Sequence, residues 1–274
     1  MKTTGKFFTI IAAGLLMASC VVGTGKTIDY GEVKTVDLHS DSIPYFNGIN
    51  VKGVATVNLK QSDSLSIDIK APEKIMEVLK VEVRGTTLFV EQEETAEFRD
   101  IQIKDVVVNV KCPDIKSLEV KGVGDINALN DIKTSRLFVE VKGVGDIDLR
   151  DVKCDTIECY LKGTGDIEME NIEATLAKIE VKGTGDAEVE SVKSETLDLT
   201  NKGTGDIEIK KITSKVTNAR NNGTGDMELN FENSEYANCS VTGTATTTLS
   251  GSLKKLDQDA GGVARIKTSE LRLE

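Results

Sequence analysis

The chain is poor in the residues from which most catalytic centres are built. Its 274 residues include one histidine, His39, and no tryptophan. A single imidazole excludes any zinc or acid–base centre that needs two. Aromatic residues make up 4%, so the platform on which sugars usually stack is thin. Bases are outnumbered by acids, 34 to 45, and the net charge of -11 repels nucleic-acid phosphates, which excludes nucleic acid as a partner. No Gly-x-Ser-x-Gly elbow, phosphate-binding loop or metal-spaced His/Cys set is present. Beyond the first 20 residues there is no apolar run near the ~18 residues of a membrane-spanning helix.

The start of the chain carries an address. Lys2 and Lys6 precede a short apolar run, Phe7 to Met17, and Met17-Ala18-Ser19-Cys20 follows. This resembles a lipoprotein signal, with Met17 where Leu is commonest. The resemblance implies a signal peptide over residues 1–19, cleavage before Cys20, and acylation of that cysteine. Several acyl chains on one residue anchor a protein stably, so the expected partner is the outer membrane through the lipid anchor. Residues 20–29 read as a tether. Val21-Val22-Gly23-Thr24 stand where surface-exported lipoproteins carry acids, which favours the periplasmic face over the cell surface.

The dominant feature is repetition. Lys-Gly-Val-Gly-Asp occurs at 121–125 and 142–146, and Lys-Gly-Thr-Gly-Asp at 162–166, 182–186 and 202–206. Asn-Gly-Thr-Gly-Asp follows at 222–226, with decayed copies at Thr242–Thr246 and Gly262–Arg265. The first glycines are 19 to 21 residues apart. Between them apolar and charged residues alternate, as in Ile167, Glu168, Met169 and Lys178, Ile179, Glu180, Val181. That is the period of strands with one buried face. A 20-residue unit cannot bury such a face alone, but stacked units can. The expectation is an all-β chain, a parallel β-helix or β-solenoid with 20-residue coils and two short strands per coil. A second bend is expected near Ile172 and Val192, and the turn glycines are expected to take positive φ. Residues 30–110 read as an irregular β head continuous with the solenoid, and 111–274 as the regular repeats. The one helix candidate is Pro72 to Leu79, with proline at a tolerated first-turn position.

At this point the chain resembles a known family, the putative autotransporter adhesin head GIN domain, found in Bacteroidota lipoproteins. The residues that carry the resemblance are Phe46-Asn47-Gly48-Ile49-Asn50-Val51-Lys52-Gly53, then Val106 to Leu118, then the glycine repeats from Gly122. It covers about residues 40–255. It implies a right-handed parallel β-helix and no catalytic residues, and its adhesin label is an inference from shape.

Two outward columns are candidate sites. Asp125, Asp146, Asp166, Asp186, Asp206 and Asp226 follow the turns. Two residues on stand Asn127, Asp148, Glu168, Glu188, Glu208 and Glu228, of which Asp148 and the four glutamates form the candidate binding face. Stacked carboxylates repel, so something must offset them. The lysines at 121, 142, 162, 182 and 202 are the expected partners of the Asp column, together with turn N–H groups. Calcium held by a ladder of those aspartates is the minor alternative; otherwise no cofactor is expected. Thr164, Thr184, Thr204, Thr224 and Thr244 are expected to form a hydroxyl ladder, and Asn201 and Asn221 a ladder of stacked amides. Tyr160 and Tyr236 read as scattered surface aromatics, and His39 as a surface residue. Cys112, Cys154, Cys159 and Cys239 are expected as free thiols, since Cys159 and Cys239 lie four coils apart and Cys112 and Cys154 about two. The function these features imply is that of a non-catalytic envelope lipoprotein presenting an acidic solenoid to a protein or glycan partner, with adhesion as one role. A periplasmic scaffold or envelope-stress accessory and a polysaccharide-active enzyme are the alternatives, the latter hinted at only by Arg150 beside Asp148. Oligomeric state is not readable.

Overall fold

The computed structural model describes residues 30–39, 42–92 and 105–274. The leader, Cys20 and the tether lie outside the described residues. The structure is a β-solenoid of about 8 turns, 68% strand and 2% helix.

Six 15-residue elements build the regular part, β12 (Ile147–Leu161), β13 (Ile167–Val181), β14 (Ala187–Asn201), β15 (Ile207–Asn221), β16 (Met227–Val241) and β17 (Thr246–Ala260), preceded by the shorter β11 (Arg136–Val141) and closed by β18 (Arg265–Leu273). Each pairs in parallel with the next. Within a coil the two expected strands are joined into one 15-residue run. The bends do not break the ladder because each omits a single pair: Leu149 pairs Met169 and Asp151 pairs Asn171, and Cys154 pairs Ala174 and Thr156 pairs Leu176. Three inward stretches result, Ile167 and Met169, Ile172 and Ala174, and Ala177 to Val181. Ile172 and Val192 thus lie buried on the short middle stretch rather than at a bend. Full burial of each such aliphatic side chain stabilises by roughly 1.5–3 kcal/mol.

The turn glycines serve a purpose other than the expected positive φ. Among the described glycines only Gly31, Gly85, Gly243, Gly251 and Gly262 have it, and none belongs to an intact repeat. Close approach is the cause instead. A Cβ on Gly183 would lie 2.0 Å from the carbonyl oxygen of Gly163 in the coil before it.

The head is threaded differently. Its elements are β1 (Val33–His39), β2 (Gly48–Val51), β3 (Thr56–Gln61), β4 (Ser66–Pro72), α1 (Glu73–Met76), β5 (Leu79–Arg84), β6 (Thr87–Gln92) and β7 (Val107–Cys112), followed by β8 (Ser117–Val120), β9 (Asp125–Ala128) and β10 (Ile132–Lys133). The coil β2–β3 lies between β6–β7 on one side and β8–β9 on the other, all parallel. After β1 the chain therefore enters inside the stack at β2–β3 and moves outward to β6–β7 before returning at β8–β9. At the outer end β4 pairs antiparallel with β7, β1 with β4, and β5 with β6. These reversed strands, with Ile75 of α1 buried beneath them, cover the first coil's open edge. The helix sits where Pro72 foretold it but lasts one turn.

Candidate functional site

The strand register carries one outward column through both regions. Asp37, Asp68, Asn109, Asn58 and Asn127 stack in the head, and Asp148, Glu168, Glu188, Glu208 and Glu228 continue it in the regular coils. The head half is wired. Asn127 Nδ2 donates to Asn58 Oδ1 at 3.5 Å, Asn58 Nδ2 to Asn109 Oδ1 at 3.0 Å, and Asn109 Nδ2 to Asp68 Oδ1 at 3.0 Å. A side-chain hydrogen bond with Asp37, helped by Asn109 and Lys70 against partial burial, holds Asp68 below the usual carboxylate range. The other half is bare. None of Asp148, Glu168, Glu188, Glu208 and Glu228 forms an ion pair or side-chain hydrogen bond among the described residues. Partial burial, then the charges of Glu168, Asp146, Asp125 and Asp166, push Asp148 up to about 6. Partial burial and the charges of Glu168 and Glu208 raise Glu188 as well.

A hollow of about 260 Å³ opens over this column, with Ala128, Leu149 and Met169 beside Asp148, Glu168 and Glu188. Arg150 lines it but makes no ion pair with Asp148. The only hint of a non-periodic catalytic pair is therefore absent as a contact.

The aspartates of the turns have the expected N–H partners but not the expected lysines. Each Oδ1 accepts the backbone N–H of the equivalent residue one coil on: Asp146 N to Asp125 at 3.0 Å, Asp166 N to Asp146 at 2.8 Å, and so through Asp186, Asp206 and Asp226 to Thr246 N at 2.7 Å. Partial burial raises Asp125, against the N–H of Asp146. The lysines do not pair with this column. Lys142 and Lys162 both hold Glu140, each at 2.6 Å, and Lys182 and Lys202 hold Glu180 at 2.7 and 3.2 Å. Lys121 holds Glu119 at 2.5 Å. The reason is side-chain direction: Lys142 and Glu140 both point outward on the same strand face, whereas Asp146 lies beyond the glycine turn. Burial opposes ionisation of Glu140 and Glu180, but two ammonium groups apiece hold both below the usual range. Among the described residues no group of three or more His, Cys, Asp or Glu could hold a metal ion.

The remaining residues fall as follows. Asn201 and Asn221 do not stack amide on amide. Each clamps its own turn: Asn201 Nδ2 donates to Gly205 O at 2.7 Å and its Oδ1 accepts from Gly203 N at 3.0 Å. Asn221 repeats this with Gly225 O at 2.9 Å and Gly223 N at 3.3 Å. No hydroxyl bond links Thr164, Thr184, Thr204 and Thr224, which are exposed; their N–H groups bond the coil before, but their hydroxyls bond to nothing among the described residues. Tyr160 is no isolated surface ring. It leans on Phe138 at 5.5 Å, with the ammonium groups of Lys162 and Lys178 at 5.1 and 4.9 Å from its centroid. Tyr236 donates to Asp257 at 2.7 Å. His39 ends β1 opposite Ser66, and its side chain lies outside what is described. Cys112, Cys154, Cys159 and Cys239 are free. Burial, reinforced by Asp114, pushes Cys112 up to about 12, and burial and Asp155 push Cys154 to about 11. Interleaving of β3 and β9 puts Cys112 and Cys154 three layers apart rather than two.

The fold and this surface define a β-solenoid protein whose charged groups are laid out in columns rather than gathered at a centre. Residues 45–234 match the family described as putative auto-transporter adhesin, head GIN domain, and the chain belongs to that family. Solved structures share the fold. A putative adhesin of Bacteroides fragilis is 23% identical, with TM-score 0.62, over 86% of this chain and 96% of that one. A putative adhesin of Parabacteroides merdae is 16% identical, with TM-score 0.74 over the same shares. A protein of Parabacteroides distasonis described as a putative lipid binding protein is 18% identical, with TM-score 0.70, over 86% of this chain and 97% of that one. No curated protein matches. Among the described residues no helix is long and apolar enough to cross a membrane.

Proposed function

We propose that this chain is a lipoprotein of the outer membrane, held through acylated Cys20, whose solenoid is a non-catalytic surface for binding a protein or glycan. Adhesion is the role that the family description suggests. The observation that carries the reading is the bare column Asp148–Glu228. Five carboxylates one strand spacing apart repel one another and contribute nothing to folding that an amide would not. The head builds the same column from bonded amides. Carboxylates kept without partners in that register are readily explained as a surface offered to something else. Against catalysis stands their periodicity: a glycosidase pair is one acid and one base in distinct surroundings, whereas these groups repeat coil by coil.

Val21-Val22-Gly23-Thr24 after Cys20 support a second reading, a scaffold on the periplasmic face that contacts other envelope proteins. Protease treatment of intact cells, with a periplasmic protein as control, separates the two. Cleavage of the solenoid with the control intact supports adhesion. Protection that is lost only on permeabilising the outer membrane overturns it in favour of the scaffold.

A further inference from the structure

A second hollow lies away from the acidic column. It is a trough of about 800 Å³ along the glycine turns, from Lys142 to Thr244. One wall is a row of exposed lysines, Lys142, Lys162, Lys182 and Lys202. The other begins with Val144, which is 60% exposed, and continues as the threonines Thr164 to Thr244. The floor is glycine, and necessarily so, since a Cβ on Gly163, Gly183 or Gly203 would strike the coil before it within 2.2 Å. The floor is therefore smooth CH₂.

Charge along the lysine wall has a longer period than the coil. Glu140 is 4% exposed and binds two ammonium groups of this wall, and Glu180 is 7% exposed and binds two more, with Lys178, two residues before it and outside the wall, a third at 3.7 Å. Each pair of lysines thus keeps one positive charge that no carboxylate of the wall offsets. The uncompensated charge recurs every 40 residues, from the pair at 142 and 162 to the pair at 182 and 202. Two strand spacings make that about 9.6 Å. The facing hydroxyls of Thr164, Thr184 and Thr204, unbonded within the protein, recur at half that distance.

We infer that this trough binds a linear polysaccharide carrying one carboxylate on every second sugar. An extended glycan advances by about one strand spacing per pyranose, so its acid groups meet the lysine pairs and its hydroxyls meet the threonines. Its ring C–H faces lie on the glycine floor, a recognition that needs no aromatic platform. Denser polyanions fit worse. The chain's net charge of -11 and the aspartate column across the turn repel every anionic group not matched by a lysine pair. Nucleic acid, with a charge on each phosphate and no stacking partner in the trough, is the clearest case. The site is separate from the acidic column, and its failure would leave the proposed display of that column standing.

The test is binding of labelled hyaluronan fragments, a uronate on alternate sugars, to the whole chain in detergent at low salt, followed by fluorescence anisotropy. Polygalacturonate, with a carboxylate on every sugar, and single-stranded DNA are the comparisons. The trough predicts binding of hyaluronan in preference to both. Lys162→Gln with Lys182→Gln weakens it by about tenfold or more, the loss of two charge-assisted contacts. Lys162→Arg with Lys182→Arg retains it, which separates a binding loss from a folding loss. Lys254→Gln, at the far end of the solenoid, leaves it unchanged. Absence of hyaluronan binding, equal or tighter binding of polygalacturonate or DNA, or binding that survives the double Gln substitution would each overturn the assignment.

Discussion

The head and the regular coils solve the same stacking problem with different side chains, and the outward column shows it most clearly. In the head, Asn127, Asn58 and Asn109 pass hydrogen bonds in one direction to Asp68. In the coils, Asp148 and four glutamates stand in the same register without partners. An amide is donor and acceptor at once and can bond its copy one coil away; a carboxylate accepts only. Position in a stack therefore does not decide which of the two stands there. The comparison extends to the turns. Regular coils pack glycine on glycine, while the head hairpin holds Gly85 at φ 66° with open space around it.

The comparison breaks most sharply at the turn glycines. Gly183→Ala places a methyl 2.0 Å from Gly163 O and is expected to cost about 3 kcal/mol or more, because backbone, not a side chain, must yield. Gly85→Ala meets no atom and is expected to cost about 1 kcal/mol, the strain of positive φ alone. Chemical denaturation of both variants measures the gap.

Next in size is the clamp of Asn201. Asn201→Ala strips the bonds to Gly205 O and Gly203 N inside a buried turn and is expected to cost about 2 kcal/mol. Asn201→Val restores the residue type that Val181 provides one coil earlier and is expected to cost clearly less. Equal losses in the two variants would show that the lost clamp, and not the volume the side chain fills, carries the whole cost, whereas a Val variant as stable as the parent would show that the clamp adds nothing.

Asp148 marks the boundary between amide and carboxylate. Its carboxyl is raised from 3.8 to about 6 in the folded chain. The stability associated with this group is then fully present below pH 4 and lost as pH rises through 6. Asp148→Asn escapes that loss and extends the amide run by one coil. The full shift corresponds to about 3 kcal/mol, which screening at a largely solvated group reduces to about 1 kcal/mol. The variant should melt higher than the parent at pH 7 and lose that advantage by pH 4.

Glu140 sharpens the opposite case. Its carboxyl is held low by Lys142 and Lys162, so its contribution is present above the unfolded value near 4.5 and lost as pH falls through the folded one. Glu140→Gln should destabilise at pH 7 by about 1 kcal/mol, with the difference shrinking in acid. The smallest effect is expected for Lys153→Gln, whose pair with Glu173 at 3.0 Å stands in open solvent; its melting temperature should be unchanged within error.

The repeat made the coils legible, since a period of 20 with alternating Ile, Glu and Met leaves few other ways to bury the apolar face. Gly53 could be matched to Gly243 by their shared context, and the structure stacks Gly53 beneath Gly122 accordingly. What escaped was whatever depends on which coil lies next to which. Insertion of β2–β3 between β6–β7 and β8–β9 leaves no local trace, because alternation names a strand's buried face and not its neighbour. The lysine partners escaped for a related reason: Lys142 and Asp146 are near in sequence, but the glycine turn separates them while Glu140 shares the lysine's face. Asn201 fits an amide ladder and a turn clamp equally well by position, and only the direction of its amide decides. The outward column was visible as acidic residues, yet its continuation as Asn58 and Asn109 was hidden in the irregular head.

The central claim is that the carboxylate column costs the fold stability and so answers to a need other than folding. Thermal melting of Glu168→Gln/Glu188→Gln/Glu208→Gln beside the parent, at pH 7 and again at pH 4, tests it directly. The account predicts a higher melting temperature for the variant at pH 7 and a smaller difference at pH 4. A variant that melts lower than the parent at pH 7 would contradict it, because the carboxylates would then be holding the coils together.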